Sequence, residues 1–181
     1  MQKNISLSIK KLVKEQSILV ILLGFVIISA VFVPNFLRLP NLINILRQSS
    51  ALVIISLGMF FVIVTAGFDI SIGSIIGFAG VVLGTFVSSF GMNLYAAMII
   101  VILLGMVIGL VNGLMVVYGE VQPFIATLAM MIVVKGINFL VSGGIPVSGL
   151  SREFGQLGRG YVGAIPVPVI IMVIIAVICH L

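Results

Sequence analysis

Long apolar runs separated by short polar gaps set the pattern of this chain. Five windows approach or meet the roughly 20 apolar residues (range about 17–25) that a membrane-spanning helix needs. They are Ile18–Val33, Leu52–Ala66, Ile72–Phe90, Leu94–Tyr118 and Phe124–Val141, and the first two borrow flanking residues. A sixth run opens near Val167 and is still apolar at Leu181. Between them, Pro34–Ser50 carries Pro34, Arg38, Pro40 and Arg47, with Leu42–Leu46 predicted as a short interfacial helix. Gly91-Met92-Asn93 and Gly119–Pro123 read as tight turns. Ser142–Pro166 is the longest polar stretch, irregular in its glycines and prolines, with a short surface helix expected over Leu150–Leu157. Pro123 and the Pro166-x-Pro168 pair suit helix entrances, where a missing N–H costs little. The pattern predicts an all-α fold, a polytopic transmembrane helical bundle. Residues 1–17 form a cytoplasmic tail, and 18–181 form a transmembrane domain that is incomplete and ends within a helix.

Composition sharpens the class. Hydrophobic residues make up 62% and charged residues 7%, against roughly 45–50% and about 25% in a soluble domain, so a soluble fold is excluded. The net charge of +5 is concentrated in Lys3, Lys10, Lys11 and Lys14. No basic face continues beyond them, so the cluster reads as a cytoplasmic tail beside anionic lipid and not as a nucleic-acid site. An inward N-terminus leaves Arg38, Arg47, Arg152 and Arg159 on the other side, a four-to-four tie in which charge density beside the first span favours the inward orientation. Phe32-Val33-Pro34-Asn35 offers no small-residue cleavage site, so the first helix is retained. Cys179 stands alone and His180 is the one histidine, so a disulfide or a histidine metal cluster within the chain is not expected. No Gly-Lys-Ser/Thr occurs, so the energy source is a partner or a gradient.

The segment Ala66-Gly67-Phe68-Asp69-Ile70-Ser71-Ile72-Gly73-Ser74 wedges glycines and polar groups between two apolar runs. Asp69, the single aspartate, has two readings. It caps the helix that begins after it by accepting the N–H of Ser71 or Ile72, or it contacts a solute directly. Lys135 lies midway along an apolar run. A lysine there costs roughly 2.5–3.5 kcal/mol on insertion scales, so it faces a cavity, a partner chain or carbonyls, or it snorkels to an interface. Asn138 and Thr127 lie near it on a helix, which predicts one polar stripe. Gly105, Gly109 and Gly113 recur every four residues and read as a helix-packing face, with Asn112 bonding between helices or toward a pathway.

These residues carry a resemblance. Gly67–Ser74 resembles the G-x-D-L-S-V-G-S motif of monosaccharide permeases in ATP-binding-cassette importers, of the ribose, xylose, arabinose, galactose and autoinducer-2 types. Pro40–Gln48, Gly109–Gly113, Gln122–Met130, Lys135-Gly136, Ser142-Gly143-Gly144 and Ile165–Pro168 follow the same family in order. Lysine at 135 stands where members often carry arginine. The resemblance implies a cytoplasmic N-terminus and about six spans here of the family's about ten. It implies a homodimeric permease, a cytoplasmic ATP-binding cassette protein that alone binds ATP, and a periplasmic or lipid-tethered sugar-binding protein. It assigns no cofactor or catalysis to this chain, and places it in the bacterial inner membrane.

The expected function is the translocation pathway for a monosaccharide or related small polar solute. The pathway candidates are Asp69, Ser71, Ser74, Asn112, Thr127, Lys135 and Asn138, on a frame shaped by Gly67, Gly73, Gly113, Pro123, Gly136, Gly143, Gly144, Pro166 and Pro168. The alternatives are import of nucleosides or branched-chain amino acids, a passive channel or an intramembrane enzyme, and a truncated, non-functional half.

Overall fold

The computed structural model describes residues 16–148 and 152–180, so the N-terminal lysines and the start of the expected 150–157 helix lie outside the described residues. The chain divides into two compact units between Gln48 and Ser49. In the first, helix α1 spans Ser17–Phe32. It stops because Val33 precedes Pro34 and takes the extended backbone (φ −103°, ψ 113°) that a pre-proline residue favours. The Asn41 amide then donates to the Phe36 carbonyl at 2.7 Å and ties down the connection.

Helix α2 runs without a break over Leu39–Val64. The separate interfacial helix expected at Leu42–Leu46 is instead its beginning. Pro40 falls in the first turn, where no N–H is needed, and no breaker follows until Ala66. The second unit continues with α3 (Ile72–Ser88), α4 (Leu94–Val117) and α5 (Pro123–Ser142), then α6 (Arg152–Arg159) and α7 (Val167–His180). A two-residue antiparallel ladder pairs Tyr161 with Pro166 and Val162 with Ile165, order that the glycine- and proline-rich sequence did not announce.

Helices α2, α4 and α5 are each long and apolar enough to cross a membrane, and α1, α3 and α7 are shorter apolar helices. The protein is a membrane protein built on a helical bundle. Within the second unit α3 packs on both α4 and α5. Phe78 and Val82 of α3 meet Val134 of α5, surrounded by Phe86, Val101, Leu104, Ile108 and Met130. Ala97, Ala126 and Gly84 are buried, small side chains that let backbones approach where lipid supplies no hydrophobic drive. Many large apolar side chains point outward, a surface suited to acyl chains or neighbouring helices.

The helix ends explain several glycines. Asn93 caps α4, its Oδ1 accepting from Tyr95 N at 2.9 Å and Ala96 N at 3.4 Å. Pro123 opens α5 as expected. Gly143 (φ 62°) and Gly144 (φ 74°) close α5 in left-handed conformations, and a Cβ on Gly144 would stand 2.8 Å from the Phe139 ring. Gly144→Ala is therefore expected to destabilise the protein by about 1–3 kcal/mol, read as a lowered thermal midpoint in detergent. A midpoint unchanged by the substitution would contradict this reading of the cap.

Candidate functional site

Helix α2 ends in a left-handed turn. The Gly67 N–H donates to Val62 O and the Ala66 N–H to Ile63 O, both at 2.9 Å, with Ala66 at φ 56°. This is the Schellman arrangement with alanine at its left-handed position. Glycine is needed one residue later, where a Cβ would sit 3.0 Å from the Val62 carbonyl. From Gly67 to Ser71 the chain forms no regular structure. At membrane depth, non-helical backbone persists only where protein or a water-lined cavity satisfies it.

Side chains provide that satisfaction. Asp69 Oδ1 accepts the Ser71 N–H at 2.7 Å and the Ser71 hydroxyl at 2.6 Å. The bond to Ser71 N–H is the one read from the sequence, but Ser71 is itself the N-cap of α3 and no side-chain bond caps that helix. The Ser71 hydroxyl in turn accepts the Asn112 amide from α4 at 3.0 Å. The Ser74 hydroxyl donates to Ser71 O at 2.7 Å. From α5, Thr127 Oγ1 accepts the Ile70 N–H at 3.4 Å and lies 3.2 Å from Phe68 O and 2.9 Å from Pro123 O, the carbonyls its proton can reach. Ser71, Ser74, Asn112 and Thr127 are all buried. Two helices distant in sequence thus hold one break.

Beside the break lies a cavity of about 340 Å³ whose wall includes Phe68, Asp69, Gly109, Asn112, Gly113 and Thr127, within the roughly 300–1,000 Å³ typical of small-molecule sites. Five of the seven pathway candidates therefore come together: Asp69, Asn112 and Thr127 on the wall, Ser71 and Ser74 bonded immediately behind it. The glycine face of α4 differs from the packing reading. Among the described residues a Cβ at Gly105, Gly109 or Gly113 would meet nothing within 4 Å, and two of the three border the cavity.

Asn138 and Lys135 lie elsewhere. Asn138 is half-buried against α3, its amide nitrogen 4.0 Å from where a Cβ on Gly77 would stand. Lys135 is exposed. At about 100° per residue, Thr127, Val134 and Asn138 fall within roughly 40° of one another, while Lys135 is about 80° from Thr127. The expected stripe thus splits: Thr127 and Asn138 follow the packed face, and Lys135 turns outward. Sequence reasoning missed Phe68 and Gly109 as cavity walls. Nothing in an apolar phenylalanine or a periodic glycine distinguishes a wall from a packing contact.

Among the described residues no group of three or more His, Cys, Asp or Glu is placed to hold a metal ion. Comparison with known proteins places the chain among transport permeases. Residues 41–179 match the family model described as branched-chain amino acid transport system / permease component. The chain is 37% identical over 168 residues to the ribose import permease protein of Haemophilus influenzae, covering 91% of this chain and 51% of that protein. It is 39% identical over 165 residues to the ribose import permease protein of Escherichia coli K12, covering 89% and 51%. It is 42% identical over 163 residues to the galactose/methyl galactoside import permease protein of the same strain, covering 82% and 48%. The chain thus spans about half the length of the curated relatives it matches. No solved structure matches it.

Proposed function

We infer the function from kinship: this chain belongs to the family of branched-chain amino acid transport system permease components. Within that family we propose that it forms part of the translocation pathway of an ATP-binding-cassette importer for a monosaccharide or a related small polar solute. Import permeases for ribose and galactose, at 37–42% identity, support the sugar reading. The observation that carries it is the cavity at the helix break, where a carboxylate, an amide and a hydroxyl converge on a membrane-spanning bundle. Among the described residues no basic side chain stands on that wall, so an amino acid's carboxylate would lack a counter-ion from them and meet Asp69 instead.

On this reading the protein is a multi-pass component of the bacterial plasma membrane with a cytoplasmic N-terminus, its first seventeen residues forming the tail. It pairs with a second permease subunit in a homodimer. A cytoplasmic ATP-binding cassette protein drives it, and a periplasmic or lipid-tethered sugar-binding protein delivers the solute. The cassette protein's closure moves the helices so that the passage opens alternately outward and inward. Asp69, Ser71, Ser74, Asn112 and Thr127 shape one section of the passage, and Asn138 a section deeper between α3 and α5. Lys135 faces outward from this chain, toward a neighbouring helix or the interface. Weak, replaceable hydrogen bonds suit such a route, since a tight site would trap the solute.

Deletion of the gene and uptake of labelled ribose, galactose, uridine and leucine test this. Loss of ribose or galactose uptake, restored by the complete gene, is the expected result. Loss of leucine or uridine uptake alone would defeat the sugar reading.

A further inference from the structure

Most of the hydrogen-bonding capacity around the cavity is already used within the protein. The Ser71 hydroxyl donates to Asp69 and accepts from Asn112. Ser74 donates to Ser71 O. The Thr65 proton has Phe61 O and Val62 O within reach, and Thr127 sits among Pro123 O, Phe68 O and the Ile70 N–H. Two side-chain oxygens at the cavity are left without a hydrogen-bond partner among the described residues. Both bonds to Asp69 fall on Oδ1, and Oδ2 has no hydrogen-bond partner among the described residues. The second is Asn112 Oδ1, buried and without a hydrogen-bond partner among the described residues, in a side chain only 6% exposed.

The orientation of that amide follows from the chain of donors. Ser71 has one hydroxyl proton and gives it to Asp69, so it can only accept from Asn112, which must present N–H. The oxygen is therefore the end left over, and a buried acceptor without a donor is an expensive state. Glycine at 109 and 113 leaves the wall beside the amide bare of side chains, with open space where each Cβ would stand. Phe68, half-exposed and 6.2 Å from the Phe124 ring, supplies an apolar face on the same cavity.

Both unpartnered oxygens accept and one belongs to a carboxylate, while the second N–H of the Asn112 amide remains a donor beside them. We propose that the cavity is a solute subsite for a neutral polyhydroxylated molecule, one of whose hydroxyls donates to Asp69 Oδ2 and another to Asn112 Oδ1. Its carbon skeleton lies against Gly109, Gly113 and Phe68. This rests on the import reading above and adds to it a point of recognition inside the permease, separate from any selection by the delivering protein. Ser71, Ser74 and Thr127 are positioning residues that hold the two acceptors in place.

The test uses the complete importer with its own binding protein, and measures uptake of labelled ribose against its mono-deoxy analogues, each lacking one hydroxyl. The binding protein is constant, so a change in the ribose-to-deoxyribose ratio between wild type and variant reports on the permease. Asn112→Leu is expected to lower that ratio about 3- to 10-fold for at least one analogue, the worth of one lost hydrogen bond. A purely structural role would depress every solute alike and leave the ratio fixed. Gly109→Leu fills the cavity without touching the hydrogen-bond chain, and is expected to lower ribose uptake by at least about tenfold with assembly unchanged. It decides the matter should Asn112→Leu fail to assemble. Ratios unchanged for all analogues, or ribose uptake unaffected by Gly109→Leu, would overturn the subsite while leaving the import reading intact. A wild-type complex that moves none of these sugars would overturn that reading and the subsite with it.

Discussion

Asp69→Ala is expected to remove solute uptake by the complete importer and to weaken the permease itself. Asp69 Oδ1 takes two hydrogen bonds from Ser71, one from the backbone and one from the hydroxyl. Bonds to a charged acceptor are worth roughly 1.5–3 kcal/mol each. A net loss near 3 kcal/mol is about a 100-fold shift in the population that keeps the break folded. The effect also reaches α4, because Ser71 loses the acceptor that fixes its proton and hence its bond from Asn112. Asp69→Asn separates the parts. Its amide oxygen can accept both bonds from Ser71, at about half the strength, while the free carboxylate oxygen becomes an N–H. The Asn variant is therefore expected to assemble nearly as wild type, with a higher thermal midpoint than the Ala variant, and still to import poorly. Wild-type uptake by Asp69→Ala would show that neither the turn nor its charge matters.

Thr127→Val carries the second large effect. The side chains are nearly the same size, so the packing of α5 on α3 is preserved and only the hydroxyl is lost. Ile70 N and Phe68 O then lack the partner that stands in for regular backbone pairing. Leaving such buried groups unmade costs roughly 1–3 kcal/mol, which corresponds to about 10- to 100-fold faster local opening. Amide exchange at residues 67–71 is expected to accelerate by that factor while α3 and α4 keep their protection. Thr127→Ser, which restores the hydroxyl, should return exchange most of the way to wild type. Equal acceleration throughout α3 would mean that Thr127 supports the bundle as a whole and not the break.

Much of this architecture was legible in the sequence, for reasons that also mark where legibility ends. Apolar runs bounded by asparagine, proline and glycine located α3, α4 and α5 to within a residue or two, because the cap chemistry of Asn93, Pro123 and Gly143 is local. The join at Leu39–Val64 was not legible. Pro40 and Arg47 look like loop residues, yet proline is tolerated in a first turn. The Asp69 bond to Ser71 N–H was readable because its partner lies two residues away. The bonds from Asn112 and Thr127 span 41 and 57 residues, and nothing local encodes them. The splitting of Lys135 from Asn138 and Thr127 has a geometric cause: residues three apart share a broad face, but only part of that face packs.

The central claim is that the break at 67–71 borders a passage reached by water and solute, and position 113 tests it most directly. Gly113 lines the cavity, and a side chain there has open space around it. In a complete importer with Cys179 replaced by serine, Gly113→Cys is expected to react with a small hydrophilic thiol reagent in at least one nucleotide state, and ribose should slow that reaction. Val134→Cys, at a position 1% exposed in the packed core, should stay unreactive throughout. Reactivity at 113 no greater than at 134 in every nucleotide state, with no protection by sugar, would contradict the account.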